Sequence, residues 1–294
     1  MRVLILGAGG MLGHKVWQVF RDRFDCRAAL RRRPQVPMFN GDCVIEGVDA
    51  ADFEGIGALI ERLHPDVVIN CVGVVKQVAA AHDPIASITL NALFPHVLAR
   101  ACARAGARLI HISTDCVFAG TRGSYSENDL PDAADLYGRS KLLGEVTETE
   151  GAGPLPLTIR TSIIGRELRT SNGLVEWFLS HRGGPVRGFT RAVFSGVTTT
   201  VLAETLASVI EHHSGLHGLY HVAAEPVSKY DLLVMLNEAI GAGVTIAPDD
   251  SLVIDRSLDA ARFRAATGLV PPPWQEMIAA LAAESPQYEL WRTE

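Results

Sequence analysis

Met1-Arg2-Val3-Leu4-Ile5-Leu6-Gly7-Ala8-Gly9-Gly10-Met11-Leu12-Gly13 sets the architecture of this chain. An apolar run at 3–6 enters a glycine-rich turn, and an apolar-periodic segment at 11–20 leaves it. The first pattern reads as a buried strand and the second as a helix. In that setting each glycine has a task. Gly7 permits the tight turn, Gly10 lets a pyrophosphate approach the backbone, and Gly13 lets the helix pack closely on the sheet. The amides at the helix start, near Met11 and Leu12, lie at the positive end of the helix dipole and suit phosphate. G-x-x-G-x-x-G spacing alone is weak; between a strand and a helix it marks a dinucleotide-binding turn. The opening residues read as a strand start, not as a signal peptide with a charged head and a small-residue cleavage site.

The pattern repeats outward from that turn. Apolar runs at 26–30, 67–70, 109–113 and 157–160 alternate with helical periodicity at 52–63, 86–105 and 137–149. Strand–helix alternation implies an α/β fold, a Rossmann-type doubly wound parallel sheet covered on both faces. Residues 1–165 are expected to form the cofactor-binding domain, and 166–294 mainly a smaller C-terminal α+β lobe that binds substrate. Part of 190–215 reads as an apolar helix returning to the first domain. Further helices are expected at 174–181, 200–212, 228–240 and 273–283, with isolated short strands such as 219–223 between them. Pro271-Pro272-Pro273 suits the approach to a last helix.

Composition narrows the function. The net charge of −6 argues against a broad nucleic-acid-binding surface. No uninterrupted apolar run approaches the ~18 residues that would mark a membrane span. Five cysteines, at 26, 43, 71, 102 and 116, form no C-x-x-C pair, which fits a reducing cytoplasm. His213, His217 and His221 are four apart, but Gly215 and Gly218 interrupt any helix that would align them, so no metal is expected.

The second strand ends at Ala28-Ala29-Leu30-Arg31-Arg32-Arg33 with no carboxylate for ribose hydroxyls. Arg31 and Arg32 suit a 2′-phosphate, so NADP(H) is expected in preference to NAD(H). Asp49 is placed to reach the adenine, and Cys71, Val72 and Gly73 give close passage along the cofactor. Ser113-Thr114-Asp115 ends a later strand, and Tyr137 and Lys141 stand four apart on one helical face. This set suits ketone reduction. Tyr137 donates the proton that quenches an alkoxide, and Thr114 holds the oxygen. Lys141 binds the nicotinamide ribose and lowers the phenol's pKa. A cation at ~4 Å and an effective dielectric of ~20 supplies at most ~4 kcal/mol.

Taken together these motifs are recognisable. The chain resembles the dTDP-4-dehydrorhamnose reductase family of extended short-chain dehydrogenases over nearly its whole length. The resemblance rests on Gly7 to Gly13, Ile69-Asn70-Cys71, Ile112-Ser113-Thr114-Asp115, Tyr137 to Glu145 and Arg160-Thr161-Ser162. Phe194 to Thr198, Gly218 to His221, Ser228-Lys229-Tyr230, Arg256 to Asp259 and Pro273-Trp274 extend it. It implies reduction of a 4-keto group on a nucleotide-linked 6-deoxyhexose for surface polysaccharide. Thr114, Tyr137 and Lys141 match the family's catalytic positions, and Thr114 and Asp115 its substrate contacts. Cys116 stands where the family usually has tyrosine, and Ile163 where it often has an aromatic; both belong near the sugar. Lys76 either grips the diphosphate or faces solvent. A homodimer is open to the chain.

Three rivals use the same scaffold. A sugar-nucleotide epimerase-reductase would use Cys116 as a base, but no partner histidine follows Gly165 at the matching place; the nearest, His181, lies in a later helix. A 4,6-dehydratase needs a glutamate where Cys116 stands. The complete Thr114, Tyr137 and Lys141 set argues against a non-catalytic regulatory subunit, and a purely nucleotide-sensing protein would not need the Tyr137–Lys141 pair.

Overall fold

The computed structural model describes residues 1–76, 83–149 and 153–293. The first half runs β1 (Arg2–Leu6), α1 (Met11–Phe20), β2 (Asp25–Leu30), β3 (Val44–Glu46), α2 (Phe53–Leu63), β4 (Val67–Asn70), α3 (Pro84–Ser87), α4 (Phe94–Ala105), β5 (Arg108–Thr114), α5 (Leu136–Leu143) and β6 (Leu157–Thr161). The second half has β7 (Ile163–Ile164), α6 (Leu174–Leu179), β8 (Pro185–Phe189), β9 (Ala192–Phe194), β10 (Val197–Thr198), α7 (Thr199–His212) and β11 (Gly218–His221). It ends with β12 (Val227–Ser228), α8 (Lys229–Ile240), β13 (Thr245–Asp249), β14 (Ile254–Asp255), α9 (Ala261–Thr267) and α10 (Trp274–Thr293).

Seven strands form one parallel sheet in the order β11-β6-β5-β4-β1-β2-β3. This is the Rossmann-type doubly wound arrangement. Strand β1 shows why both faces must be covered. Val3 and Ile5 belong to one core with α1 and α7, and Leu4 and Leu6 to another with α2 and α4. The strand order reverses between β1 and β4, which opens a crevice at their carboxyl ends.

Four elements differ from the sequence reading. Strand β3 is three residues at the sheet edge, too short to carry a period. The helix expected over 86–105 is a π-helical turn at Ile88–Leu93 between α3 and α4. Pro95 offers no N–H to the Asn91 carbonyl, so the ordinary ladder cannot run through it. By length and composition this stretch could cross a membrane, but half of it is buried, with Phe94, Leu98 and Cys102 in the core. Helix α5 stops at Leu143, well short of Thr149. A Cβ at Gly144 would lie 1.9 Å from the Asn91 carbonyl oxygen, so the chain passes close there and turns away. Helix α10 continues ten residues beyond Ala283, through Pro286.

The division at residue 165 also needs correction. Strand β11 pairs with β6 as the seventh strand of the main sheet rather than lying in a separate lobe. Helix α7, within the 190–215 stretch expected to return to the first domain, packs on α1. The end of α10 reaches α1 as well: Lys15 Nζ meets Glu284 at 2.6 Å, and Tyr288 Oη lies 2.7 Å from His14 Nε2. Small sheets of β8 with β13, of β9 with β12 and β14, and of β7 with β10 make up the rest. The three histidines fall on different elements. His213 follows α7, His217 lies in the loop just before β11, and His221 is in β11, where burial pushes its pKa down to about 4.

One buried ion pair holds the end of α5 to the sheet. Arg160, in β6, donates from Nε and Nη2 to the two Glu145 oxygens, each at 2.7 Å. Ser113 Oγ, in β5, donates to Glu145 Oε1 at 2.7 Å. The paired side chains are 3% and 8% exposed, so neither charge has water to fall back on. Removing one partner of such a pair costs about 3–5 kcal/mol. Glu145→Ala is expected to lose that much in urea denaturation. A loss below about 1 kcal/mol would show that the pair is not holding the strands.

Candidate active site

The glycine turn is built as a cradle. Gly7 has φ +77°, and its N–H and that of Ala8 both donate to the Ala29 carbonyl at 3.1 Å. A Cβ at Gly7 would sit 3.0 Å from the Cys71 and Val72 backbone, and one at Gly13 would sit 2.1 Å from the Gly7 oxygen. Gly10 caps α1 with no side-chain hydrogen bond, which leaves the amides of Met11 and Leu12 to an external acceptor. An uncapped helix start behind a turn that tolerates no side chain fits a dinucleotide diphosphate.

Along the groove, Cys71 and Val72 are half-buried and Gly73 exposed. The Val72 N–H is held by Asn70 Oδ1 at 3.0 Å. Asp49 is exposed past β3 and accepts the Ala51 N–H at 3.0 Å, an Asx turn that ties up one of its oxygens. Arg31 and Arg32 are both exposed at the end of β2. Arg32 and Arg33 line a cavity of about 500 Å³, whereas Arg31 does not.

Thr114 ends β5, and Asp135 caps α5 by accepting the Gly138 N–H at 2.8 Å. These two anchors bring Thr114 and Tyr137 together. Burial pushes the Tyr137 phenol above its usual pKa, Cys116 and Asp115 add to the shift, and the Thr114 hydroxyl pulls it back. The expected lowering by Lys141 is not what the geometry gives. Lys141 Nζ donates to the Ile112 carbonyl at 2.7 Å, and its charge is felt by Cys71. Burial pushes Lys141 down to about 8, against the pull of Glu145 and Cys71. Helical spacing put the two residues on one face but did not fix where the ammonium points.

Around Thr114 lie the substrate-side groups. Thr114 Oγ1 donates to Asp115 Oδ1 at 3.1 Å and accepts the Cys116 N–H at 3.1 Å. Burial pushes Asp115 up, against the opposing charges of Arg256 and Lys229. Lys229 in turn lies 5.0 Å over the Phe194 ring. Burial and the neighbouring Asp115 push the Cys116 thiol up to about 12. That is the wrong direction for a base, since the thiolate is the reactive form. His181, the nearest candidate partner, is tied back to the Trp177 carbonyl at 2.8 Å. Ile163 sits in β7, beside Val197. Lys76 pairs with Asp135 at 2.6 Å, so it meets the α5 cap.

Sequence reasoning missed Asn91. It projects from the π-helical turn, accepts the Val74 N–H at 2.8 Å, and donates to the Val74 carbonyl at 3.0 Å and Ser140 Oγ at 3.2 Å. It thus braces the groove wall against the helix that carries Tyr137 and Lys141. Pro95 within a helical pattern was the available signal.

Residues 1–286 match the sequence profile of the RmlD substrate binding domain. The chain belongs to that family, the dTDP-4-dehydrorhamnose reductase-like sugar-nucleotide reductases. It is 30% identical to the probable low-salt glycan biosynthesis reductase Agl14 of Haloferax volcanii, over 98% of this chain and 99% of that protein. It is also 36% identical to the methionine adenosyltransferase 2 subunit beta of Rattus norvegicus, over 49% of this chain and 41% of that protein. Its fold resembles that of the dTDP-4-dehydrorhamnose reductase of Bacillus anthracis in complex with NADP, with TM-score 0.80 and 21% identity over 96% of this chain and 99% of that one.

The Lys141 shift has a sign that can be checked. A lysine held below its ordinary value costs the folded state when charged. Its contribution to stability therefore rises with pH from about 8 towards the unfolded value near 10.4. In a ¹³C NMR titration of labelled lysines, one resonance is expected to turn near pH 8. Because Glu145 holds this pKa up, Glu145→Gln should move the midpoint lower; an unchanged midpoint would assign the resonance elsewhere.

Proposed function

We propose that the protein reduces the 4-keto group of a nucleotide-linked 6-deoxyhexose in the cytoplasm, for surface polysaccharide synthesis, and prefers NADP(H) to NAD(H). The observation that carries this reading is the convergence of Thr114, Tyr137 and Lys141 at the carboxyl end of β5, next to the Cys71 backbone that the glycine turn packs on. A nicotinamide cofactor bound along Gly7, Gly10, Met11, Leu12, Gly13, Cys71, Val72 and Gly73 would supply the hydride. The protein's own residues do the rest.

Thr114 turns its one hydroxyl hydrogen from Asp115 to the ketone oxygen and orients that oxygen. Tyr137 delivers a proton to that oxygen as it gains charge. The upward shift of the phenol keeps it protonated at neutral pH, and an alkoxide is basic enough to take its proton. Lys141, held at the Ile112 carbonyl, would hold the ribose hydroxyls of the bound cofactor. Asp115 and Ile163 border the sugar. Lys76 acts through the Asp135 cap rather than on the diphosphate. Cys116 packs beside the phenol as a neutral thiol, which favours plain reduction over epimerisation.

Two measurements test this. Tyr137→Phe is expected to lower turnover of 4-keto sugar nucleotides by ~10²–10⁴ while leaving NADPH affinity nearly unchanged. Near-normal turnover would remove Tyr137 from the proton step. Absence of any NADPH oxidation across the substrate panel by the unaltered protein would favour a regulatory subunit instead. For reduction in D₂O, no deuterium is expected at the carbons flanking the ketone; label that Cys116→Ser abolishes would restore the epimerase reading.

A further inference from the structure

The last helix of the chain ends against the helix that follows the glycine turn. Tyr288, in α10, is 1% exposed, and His14, the fourth residue of α1, is fully buried. Their rings meet edge to face at 5.6 Å, with Tyr288 Oη 2.7 Å from His14 Nε2. On its other side the imidazole reaches back one turn, and Nδ1 lies 2.8 Å from the Gly10 carbonyl oxygen. The backbone N–H of His14 donates to the same oxygen at 3.0 Å. The Gly10 carbonyl thus accepts a second bond besides the one that the helical ladder supplies.

The hydrogens on this path can be placed. Burial pushes the His14 pKa down to about 4, so at neutral pH the ring carries a single N–H. A carbonyl oxygen only accepts, which puts that hydrogen on Nδ1. Nε2 is then a bare acceptor, and Tyr288 donates to it. Burial also raises the Tyr288 phenol above its ordinary value, so it keeps the hydrogen that it donates. Beyond the imidazole, the Gly10 C=O and the Met11 N–H belong to one planar peptide unit and point in opposite directions. Two donors on the carbonyl therefore fix where the Met11 N–H points. That amide is one of those that the uncapped start of α1 leaves to an external acceptor. All the bonds run in one sense: phenol O–H to imidazole, imidazole N–H to carbonyl, amide N–H outward. In such a chain each bond polarises and strengthens the next. Closing its own helical turn would require no partner on His14 Nε2, and filling the core would require no hydroxyl on Tyr288.

We propose that Tyr288 and His14 are positioning residues for the cofactor's diphosphate, a relay of hydrogen bonds that runs from α10 to the glycine turn. The proposal rests on the dinucleotide reading of that turn and adds a contribution from a helix 274 residues further along the chain. The Tyr288 ring is held independently of its hydroxyl. Lys15 Nζ and Arg166 Cζ lie 5.2 and 5.3 Å from its centre, and Arg166 also donates to the Ser285 carbonyl at 3.2 Å. A second contact joins the same two helices without carrying a bond of the relay. Glu284 accepts from Lys15 Nζ at 2.6 Å and from Thr200 Oγ1 at 2.9 Å.

Long-range ¹H–¹⁵N spectra of the full chain, together with calorimetric titration against ADP, NADPH and NADH, test the relay. In the unaltered protein His14 is expected to be protonated on Nδ1 alone; a hydrogen on Nε2 would overturn the relay with no variant needed. Tyr288→Phe keeps the ring and removes the donor. It is expected to weaken ADP, NADPH and NADH alike by roughly three- to tenfold and to shift the Met11 amide resonance in the free protein. In a His14→Leu background the same change should add almost nothing, because Tyr288 acts through His14. Glu284→Gln loosens the same pair of helices; it is expected to lower the urea midpoint while leaving all three affinities within about twofold. A loss of affinity in Glu284→Gln as large as that in Tyr288→Phe would mean that only helix packing matters and would overturn the assignment. So would unchanged dinucleotide affinity in a folded Tyr288→Phe protein. Those outcomes leave the glycine-turn reading standing, whereas no binding of any of the three ligands by the unaltered protein sinks that reading itself.

Discussion

The buried pair of Glu145 with Arg160 is the constraint on which the active-site geometry depends. Its three participants come from the end of α5, the carboxyl end of β6 and, through Ser113, the carboxyl end of β5. Thr114 immediately follows Ser113, and Lys141 lies in the last turn of α5. Thr114 and Lys141 are therefore one residue and one helical turn from a fork of charge-assisted hydrogen bonds, the strong and directional kind. Arg160 has a further face to satisfy and sets it 5.2 Å over the Phe118 ring. The chain beyond Glu145 is then clipped to β6, where Thr158 Oγ1 donates to the Val146 carbonyl at 2.6 Å. A pair this buried adds little net stability relative to apolar packing. What it provides here is register between a helix and two strand ends.

That constraint explains which features could be read in advance. The glycine turn, α1 and the strands β1, β2, β4, β5 and β6 follow from local periodicity, and the structure has them within a residue or two of the expected places. Tyr137 and Lys141 were legible as a pair because four-residue spacing is a property of the helix itself. The early stop of α5 was not legible, because Gly144 is demanded by the Asn91 carbonyl fifty-three residues earlier. The direction of Lys141 was missed for the same reason: its acceptor is a strand carbonyl, Ile112, that no helical pattern encodes. Strand β11 was visible as a strand, but its place at the sheet edge depends on pairing with β6, a contact between distant segments. Helix α10 hid its second half behind Pro286, and with it Tyr288 and Arg292. A proline inside a helix ordinarily ends it; here the helix continues against α1.

The same long-range contacts organise the charge of the groove. At its cofactor end, backbone amides and arginines collect positive potential. At its substrate end, Asp115 and Lys229 shift each other, Arg256 acts on both, and burial opposes the charge of Asp115 and of Lys229. Between the two ends lie three groups held largely in their neutral forms, the Tyr137 phenol and the Cys71 and Cys116 thiols, the thiols at about 12. An environment that raises all three acids makes each a poor source of standing anion and a strong base once deprotonated. A thiol so placed cannot idle as a thiolate beside a ketone and draw protons from the adjacent carbons. A phenol so placed gives up its proton only to something more basic than itself, and an oxygen gaining hydride-derived charge meets that condition where a ground-state ketone does not. The electrostatics thus tie proton delivery to the moment at which charge develops, and burial, rather than the ammonium that spacing suggested, sets that threshold.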